Sequence, residues 1–187
     1  AIDRLAWEKD ILFVISTGNL KRESSQVNNP GVKEMINNGS KYPDYFDHNF
    51  ARLANPSQAA FALTVGSVCI SKFDDANYTS FGDLNEPSAF TRQGSGLWGM
   101  VKPDVVEYGG DYVKEKNNNP VLVTTREETS PETVRSTLNG GPAFGRDQPG
   151  TSFSTPKVSH VIAHILNNWP NVTSLFIRTL LVQSARW

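Results

Sequence analysis

The chain has 187 residues, with 18 Lys and Arg against 19 Asp and Glu, so its net charge at pH 7 is −1. That balance gives no basic field for binding nucleic acid, and no apolar run is long enough to span a membrane. The length suits a single domain, residues 1–187, with a core of its own. The chain begins at Ala1 without an initiator Met. We therefore expect a portion of a longer protein, whose compartment the sequence leaves unknown.

Cysteine and histidine are scarce in this sequence. The single cysteine, Cys69, rules out an internal disulfide and lies in an apolar run, as buried structural thiols do. His48, His160 and His164 are scattered with no paired ligand nearby, so we expect no metal site. The sequence also predicts no cofactor.

The first elements in chain order are the end of a helix and a buried strand. The helix end is Ala1–Lys9. Ile11–Ile15 is a continuous apolar run, typical of a strand covered on both faces, as in a parallel sheet. Its carboxyl end delivers Gly18 and Asn19 into a loop, and open α/β sheets bind their ligands at such loops. Taken alone, Gly-Asn after a strand is equally typical of an ordinary turn.

A polar excursion follows, from Lys21 to Asn55. It is rich in Asn, Gly and Pro and has one short helical patch, Pro30–Ile36. We expect a long surface loop that packs back onto the domain through four clustered aromatic residues, Tyr42, Tyr45, Phe46 and Phe50. Loops of this kind can also contact a substrate. His48 is expected on the surface of this loop.

The middle of the chain predicts further strands. Ala62–Val68 is apolar and reads as a second buried strand. Val101–Val106 contains Lys-Pro-Asp, which by itself predicts a turn leading into a strand. Pro120–Thr125 predicts another strand, and Ser130–Glu132 predicts a helix start with Pro in the first position. The Gly-rich loop Gly140–Gly145 lacks the Gly-Lys-[Ser/Thr] of a phosphate-binding loop.

An amphipathic helix is predicted after Gly150. Its apolar residues recur at steps of three and four from Val158 to Leu166. Ser152 then lies at the amino end of the helix, where free N–H groups and the helix dipole stabilise a nearby anion. A serine there is either an ordinary helix cap or a nucleophile whose reaction passes through an oxyanion. After a break at Pro170, a last apolar helix is predicted to complete the chain.

Gly150-Thr151-Ser152-Phe153-Ser154-Thr155-Pro156 resembles the serine motif of the subtilases, Gly-Thr-Ser-x-[Ala/Ser]-x-Pro. Further segments are similar to that family and follow in the same order: the apolar strand ending in Gly18-Asn19, the strand Thr64–Val68, and Ser88–Gly94 followed by Lys102–Val105. Glu107-Tyr108-Gly109 departs from the family's usual Ala-Pro-Gly. The chain thus resembles the C-terminal half of a subtilase catalytic domain. This resemblance implies an α/β fold with three layers, α/β/α, and a mostly parallel sheet.

The resemblance also implies a serine endopeptidase whose substrate is a peptide or protein. Ser152 would be the nucleophile, and the Asn19 side-chain amide would complete the oxyanion hole. Ser16, Thr17 and Gly18 would line the pocket for the substrate side chain that precedes the scissile bond. The related sedolisins share Gly-Thr-Ser but place Asp in the oxyanion hole, so Asn19 favours the subtilases.

A serine nucleophile needs a general base, and none is evident in this sequence. In the family the Asp and His precede the Ser, so both would lie before Ala1. His160 and His164 are roughly 12 Å and 18 Å beyond Ser152 on one helix at 1.5 Å per residue, and no family motif surrounds His48. Two hypotheses remain: a peptidase seen in part and inactive alone, or a non-catalytic subtilase-like module that binds a peptide. A partial domain would expose a sheet edge, so we also expect self-association.

Overall fold

A computed structural model describes residues 1–117, 123–124, 132–134 and 147–185. Its helices are α1 (Ile2–Lys9), α2 (Val32–Asn37), α3 (Thr151–Asn168) and α4 (Ser174–Ser184). Its strands are β1 (Val14–Ser16), β2 (Leu63–Val68), β3 (Tyr78–Ser80), β4 (Gly94–Ser95), β5 (Val101–Lys102), β6 (Val105–Tyr108), β7 (Val113–Glu115) and β8 (Val123–Thr124). Most of the strand predicted over 120–125, Ser130 and Pro131 of the predicted helix start, and the Gly-rich loop 140–145 lie outside the described residues.

The central sheet is parallel and has the strand order β1-β2-β6. Ile15 pairs with Thr64, and Gly66 pairs with Val106. β2 is the middle strand and is buried along all six residues, as its apolar run predicts. The α/β class with a central parallel sheet is thereby confirmed.

The prediction of a fully buried first strand is wrong. β1 has only three residues, all of them half-buried, and Ile11 lies before the strand and is exposed. The reason is its position at the edge of the sheet: among the described residues only β2 pairs with it.

One face of the parallel sheet is covered by α3 and α4, which lie close to the predicted positions. Val158 and Ile162 of α3 and Ile177 of α4 pack against Leu63 and Val65 of β2 in one apolar cluster. The loops after β1 and β6 thereby meet the amino end of α3 at the carboxyl edge of the sheet. In the described part of the chain, no helix combines the length and apolarity needed to cross a bilayer.

The excursion after Lys21 is not a simple surface loop but builds a second core. Val32 and Met35 of α2 pack with the buried rings of Tyr45 and Phe46. The packing of the aromatics is as predicted. Residues 21–29 are mostly exposed, as predicted, whereas the contribution of α2 to the buried cluster was not predicted.

As predicted, Lys102-Pro103-Asp104 leads into a strand, β6, and Pro103 separates that strand from β5. β5 pairs with β4 in an antiparallel ribbon, whereas β6 joins the parallel sheet and continues through Tyr108. Proline lacks the N–H that a continuous ladder would require at this position. The antiparallel sheet β3-β7-β8 was not predicted.

Candidate active site

Ser152 is exposed in the first turn of α3. No acidic residue in that turn opposes the positive end of the helix dipole. Pro156 lies inside the helix and lacks the N–H that would bond to the carbonyl four residues earlier, that of Ser152. The Ser152 hydroxyl forms no hydrogen bond with any residue that the structure describes. Its oxygen is therefore accessible at a helix terminus suited to binding an anion.

The Asn19 side chain contacts the residue next to Ser152. Its Oδ1 accepts hydrogen bonds from Thr151 N at 3.0 Å and from Thr151 Oγ1 at 2.8 Å. Because a backbone N–H only donates, the amide atom facing it is the oxygen, and this fixes the orientation of the amide. Nδ2 lies on the side of Gly150, 3.2 Å from where a Cβ on that residue would be. Among the described residues, none accepts a hydrogen bond from Nδ2.

The backbone of Asn19 is held from the opposite side. Asn19 forms an antiparallel bridge with Thr91, and its carbonyl accepts a hydrogen bond from Arg92 Nε at 3.2 Å. Gly18 has a φ of +85°, and a Cβ there would lie 2.6 Å from the Cβ of Ala54. Only glycine meets both requirements without strain. These contacts define the backbone conformation that presents Asn19.

Of the predicted pocket residues, Ser16 and Gly18 are half-buried and Thr17 is fully buried. Thr17 N donates to Val65 O, and Thr17 O accepts from Ala54 N, both at 3.0 Å. Of these three residues, Ser16 and Gly18 therefore keep accessible surface, whereas Thr17 is held in the interior.

The amino end of α3 is joined to the end of β6 by direct backbone contact. Gly150 N donates to Gly109 O at 2.8 Å. A Cβ on Gly109 would clash with Ser67 Oγ and would lie 2.5 Å from Ser154 Oγ. A larger residue at Gly109 would push α3, and with it Ser152, away from the sheet.

A buried carboxylate organises the segment that pairs with Asn19. Asp111 accepts backbone hydrogen bonds from Phe81, Gly82 and Ala89 at 2.7–3.2 Å. Burial raises the pKa of Asp111 to about 7, although these donors act in the opposite direction. Asp111 therefore fixes the backbone two residues before Thr91.

None of the three histidines hydrogen-bonds to Ser152. His48 is exposed and stacks on Phe50, with 5.0 Å between the ring centres. His160 and His164 are both exposed on α3, and their Nε2 atoms lie 3.0 Å apart. The expectation that no histidine has a paired ligand nearby was wrong for these two, since their spacing of four residues on a helix already placed them together.

The sequence motifs indicated Ser152 and Asn19, which the structure brings to one edge of the sheet. They missed the supporting roles of three residues: Thr151, Arg92 and Asp111. Thr151 could have been found, because it belongs to the serine motif itself. Arg92 and Asp111 act through contacts between segments distant in sequence, and no local pattern indicates those.

A sequence profile described as the Subtilase family matches residues 1–186. The chain belongs to the subtilase family. A serine peptidase-like fold is thereby established for it, in agreement with the parallel sheet and the position of α3.

Two curated proteins are similar to this subtilase chain. An uncharacterized protein, y4bN of Sinorhizobium fredii, is 33% identical over 98% of the chain, which covers 42% of that protein. The serine protease AprX of Bacillus subtilis is 22% identical over 94% of the chain, which covers 30% of that protein. The chain thus spans less than half the length of either relative. No solved structure gives a significant match.

Proposed function

We propose that this subtilase chain supplies the nucleophile and the oxyanion-binding part of a serine endopeptidase. The contact between Thr151 and Asn19 carries the proposal, since it holds the Asn19 amide one residue from the exposed Ser152. An ordinary helix cap would not require a second segment, 132 residues distant, to present an amide at this place.

In the proposed reaction, Ser152 Oγ attacks the carbonyl carbon of a peptide bond while a base accepts its proton. The carbonyl oxygen gains negative charge and accepts hydrogen bonds from Asn19 Nδ2 and Ser152 N–H. Because Thr151 already holds Asn19 Oδ1, the amide needs no reorganisation as this charge develops. Return of the proton to the leaving amine gives an acyl-enzyme, which water hydrolyses by the same sequence of steps.

The base and its orienting carboxylate are proposed to come from a part of the protein outside these 187 residues. Eight residues of α3 separate Ser152 from His160, or roughly 12 Å at 1.5 Å per residue. His48 stacks on Phe50, and its ring makes no hydrogen bond to Ser152. The isolated chain should consequently have an unactivated serine hydroxyl and no useful peptidase activity.

The substrate is proposed to be a peptide or protein strand that runs along the carboxyl end of β1. Ser16 and Gly18 would contact the side chain that precedes the scissile bond. The alternative, a non-catalytic module that binds a peptide, is favoured by one observation: no described residue provides a base for Ser152. The retained serine and amide favour the peptidase.

The test uses the longer protein that contains this chain, with a fluorophosphonate probe and a peptide substrate. Ser152→Ala should abolish both labelling and hydrolysis, whereas Ser184→Ala, an exposed serine on α4, should change neither. Asn19→Asp keeps the acceptor for Thr151 but removes the donor. It should lower kcat by about 10²–10³, the magnitude known for removing the oxyanion donor of subtilisin, a member of the same family.

Peptide binding by the longer protein without labelling or hydrolysis would overturn the peptidase in favour of the binding module. Stoichiometric labelling of Ser152 in the isolated 187-residue chain would show instead that the base lies within it. Mutation of His48 would then be the next experiment.

A further inference from the structure

We propose that His160 and His164 form a surface site for a divalent transition metal, with Zn²⁺ as its simplest occupant. The two residues are one helical turn apart on α3, and both are exposed. Two histidines with this spacing on one helix face are an arrangement that binds zinc in other proteins.

The distance between the ring nitrogens fits a shared metal ion. The two Nε2 atoms are 3.0 Å apart. Two nitrogens on a tetrahedral zinc, each at 2.0–2.1 Å, are separated by about 3.3 Å. The distance between the two nitrogens thus lies within a few tenths of an ångström of the value in a chelate. The rings are nearly perpendicular, at 89°, so binding requires that the shared proton leaves and that the exposed side chains rotate until both Nε2 lone pairs face one metal ion.

The helix is held firmly on the side away from the histidines, so the pair is preorganised. Val158 and Ile162 are buried against the sheet. Asn168 Nδ2 donates to His164 O at 2.8 Å and so provides a partner for a carbonyl near the carboxyl end of α3. The donors are thus presented by a packed helix, and little ordering is needed when the metal binds.

The site is open, because in the described part of the chain no third His, Cys, Asp or Glu completes a metal-binding group. The sequence has no fourth histidine, and Cys69 is buried. Water, or a group from another molecule, would fill the remaining positions. The two histidines are half of the four ligands of a structural zinc site, so we expect about half of its binding free energy. That free energy corresponds to a Kd roughly between 10⁻⁶ and 10⁻⁴ M.

The ligand type determines which metals bind. Imidazole suits zinc, nickel and copper, whereas magnesium prefers oxygen ligands. We expect Cu²⁺ to bind more tightly than Zn²⁺, following the general order of affinities, and Mg²⁺ not to bind. The site lies roughly 12 Å from Ser152 along the helix, so it is separate from the proposed active site.

The test is calorimetric titration of the untagged 187-residue chain with Zn²⁺, Cu²⁺ or Mg²⁺ in a buffer that does not chelate metals. We expect one Zn²⁺ per chain, and a loss of affinity of at least about tenfold in both His160→Gln and His164→Gln. The matched control is His48→Gln, which removes the remaining histidine and should leave the titration unchanged. Electron paramagnetic resonance of the Cu²⁺ complex should show two coupled nitrogens.

Unchanged affinity in the His160→Gln and His164→Gln variants, or failure of Cu²⁺ to bind at millimolar concentration, would show that the pair is only a hydrogen bond between two rings. A copper spectrum with a single nitrogen, or equal weakening by His48→Gln, would also overturn the proposal. Circular dichroism of each variant verifies that α3 is intact.

Discussion

Replacement of Asp104 by alanine should be among the most damaging single changes in this chain. Its carboxylate is 8% exposed and accepts hydrogen bonds from three donors: Lys102 Nζ at 2.5 Å, Arg178 Nη2 at 2.8 Å and Thr64 N at 2.7 Å. It thereby connects the start of β2 with α4. The Lys102 side chain is fully buried, and apart from Asp104 its ammonium donates to Ala62 O.

Asp104→Ala should lower the free energy of unfolding because it leaves the buried Lys102 ammonium without its charged partner. Burial lowers the pKa of Lys102, and the bond to Asp104 works against that shift. Without the carboxylate, a buried ammonium keeps only a carbonyl partner. Removal of one partner from a buried ion pair costs about 3–5 kcal/mol. The free energy of unfolding of a typical domain is about 5–15 kcal/mol, so Asp104→Ala should remove a large part of it.

The assay is equilibrium urea unfolding of the 187-residue chain, followed by circular dichroism and tryptophan fluorescence. The matched control is Asp83→Ala, since the Lys72–Asp83 pair is as short, 2.7 Å, but both side chains are more than half exposed. Breaking it should cost far less than breaking the buried pair, because solvent screens an exposed ion pair. The double variant Lys102→Met/Asp104→Asn should be more stable than Asp104→Ala, because the buried ammonium is removed and the asparagine side chain can still accept a hydrogen bond from Arg178. Equal midpoints for Asp104→Ala and Asp83→Ala would refute this reasoning.

Three other predictions concern stability and assembly. Burial raises the pKa of Asp111 to about 7 from an ordinary value of 3.8, so the folded state binds its proton more tightly than the unfolded chain. The free energy of unfolding should therefore fall between about pH 4 and pH 7, and Asp111→Asn should flatten that fall in urea titrations. Gly18→Ala should cost at least about 1–2 kcal/mol, from the left-handed backbone alone, in the same titrations. The open edge of β1 should make the chain self-associate, and light scattering that shows a monomer at all concentrations would contradict this.

The sequence predicted best the elements whose signal is local. The helical period after Gly150 and the apolar run of β2 each depend on neighbouring residues, and both elements lie close to the predicted positions. Ser152 and Asn19 were indicated because each belongs to a short motif at the end of such an element. Their proximity follows from parallel topology, in which strand ends and helix starts share one edge.

The features that the sequence did not predict depend on which distant segments contact each other in the fold. The exposure of β1 could not be predicted from its apolar composition, because composition does not show which strands lie beside it. No sequence motif indicated Asp111, whose buried carboxylate accepts hydrogen bonds from backbone donors in two other segments. The contact between His160 and His164 was available from their spacing, and its omission was an error of interpretation rather than of information.

The hydrogen bonds between Asn19 and Thr151 join residues 132 positions apart. Closing so long a loop costs entropy that only the completed fold repays, and contacts of this separation form late in folding. While α3 is undocked, the chain would have Ser152 and its backbone N–H but not the Asn19 amide beside them. The proposed peptidase would therefore gain its complete oxyanion hole only when folding brings these two distant segments together.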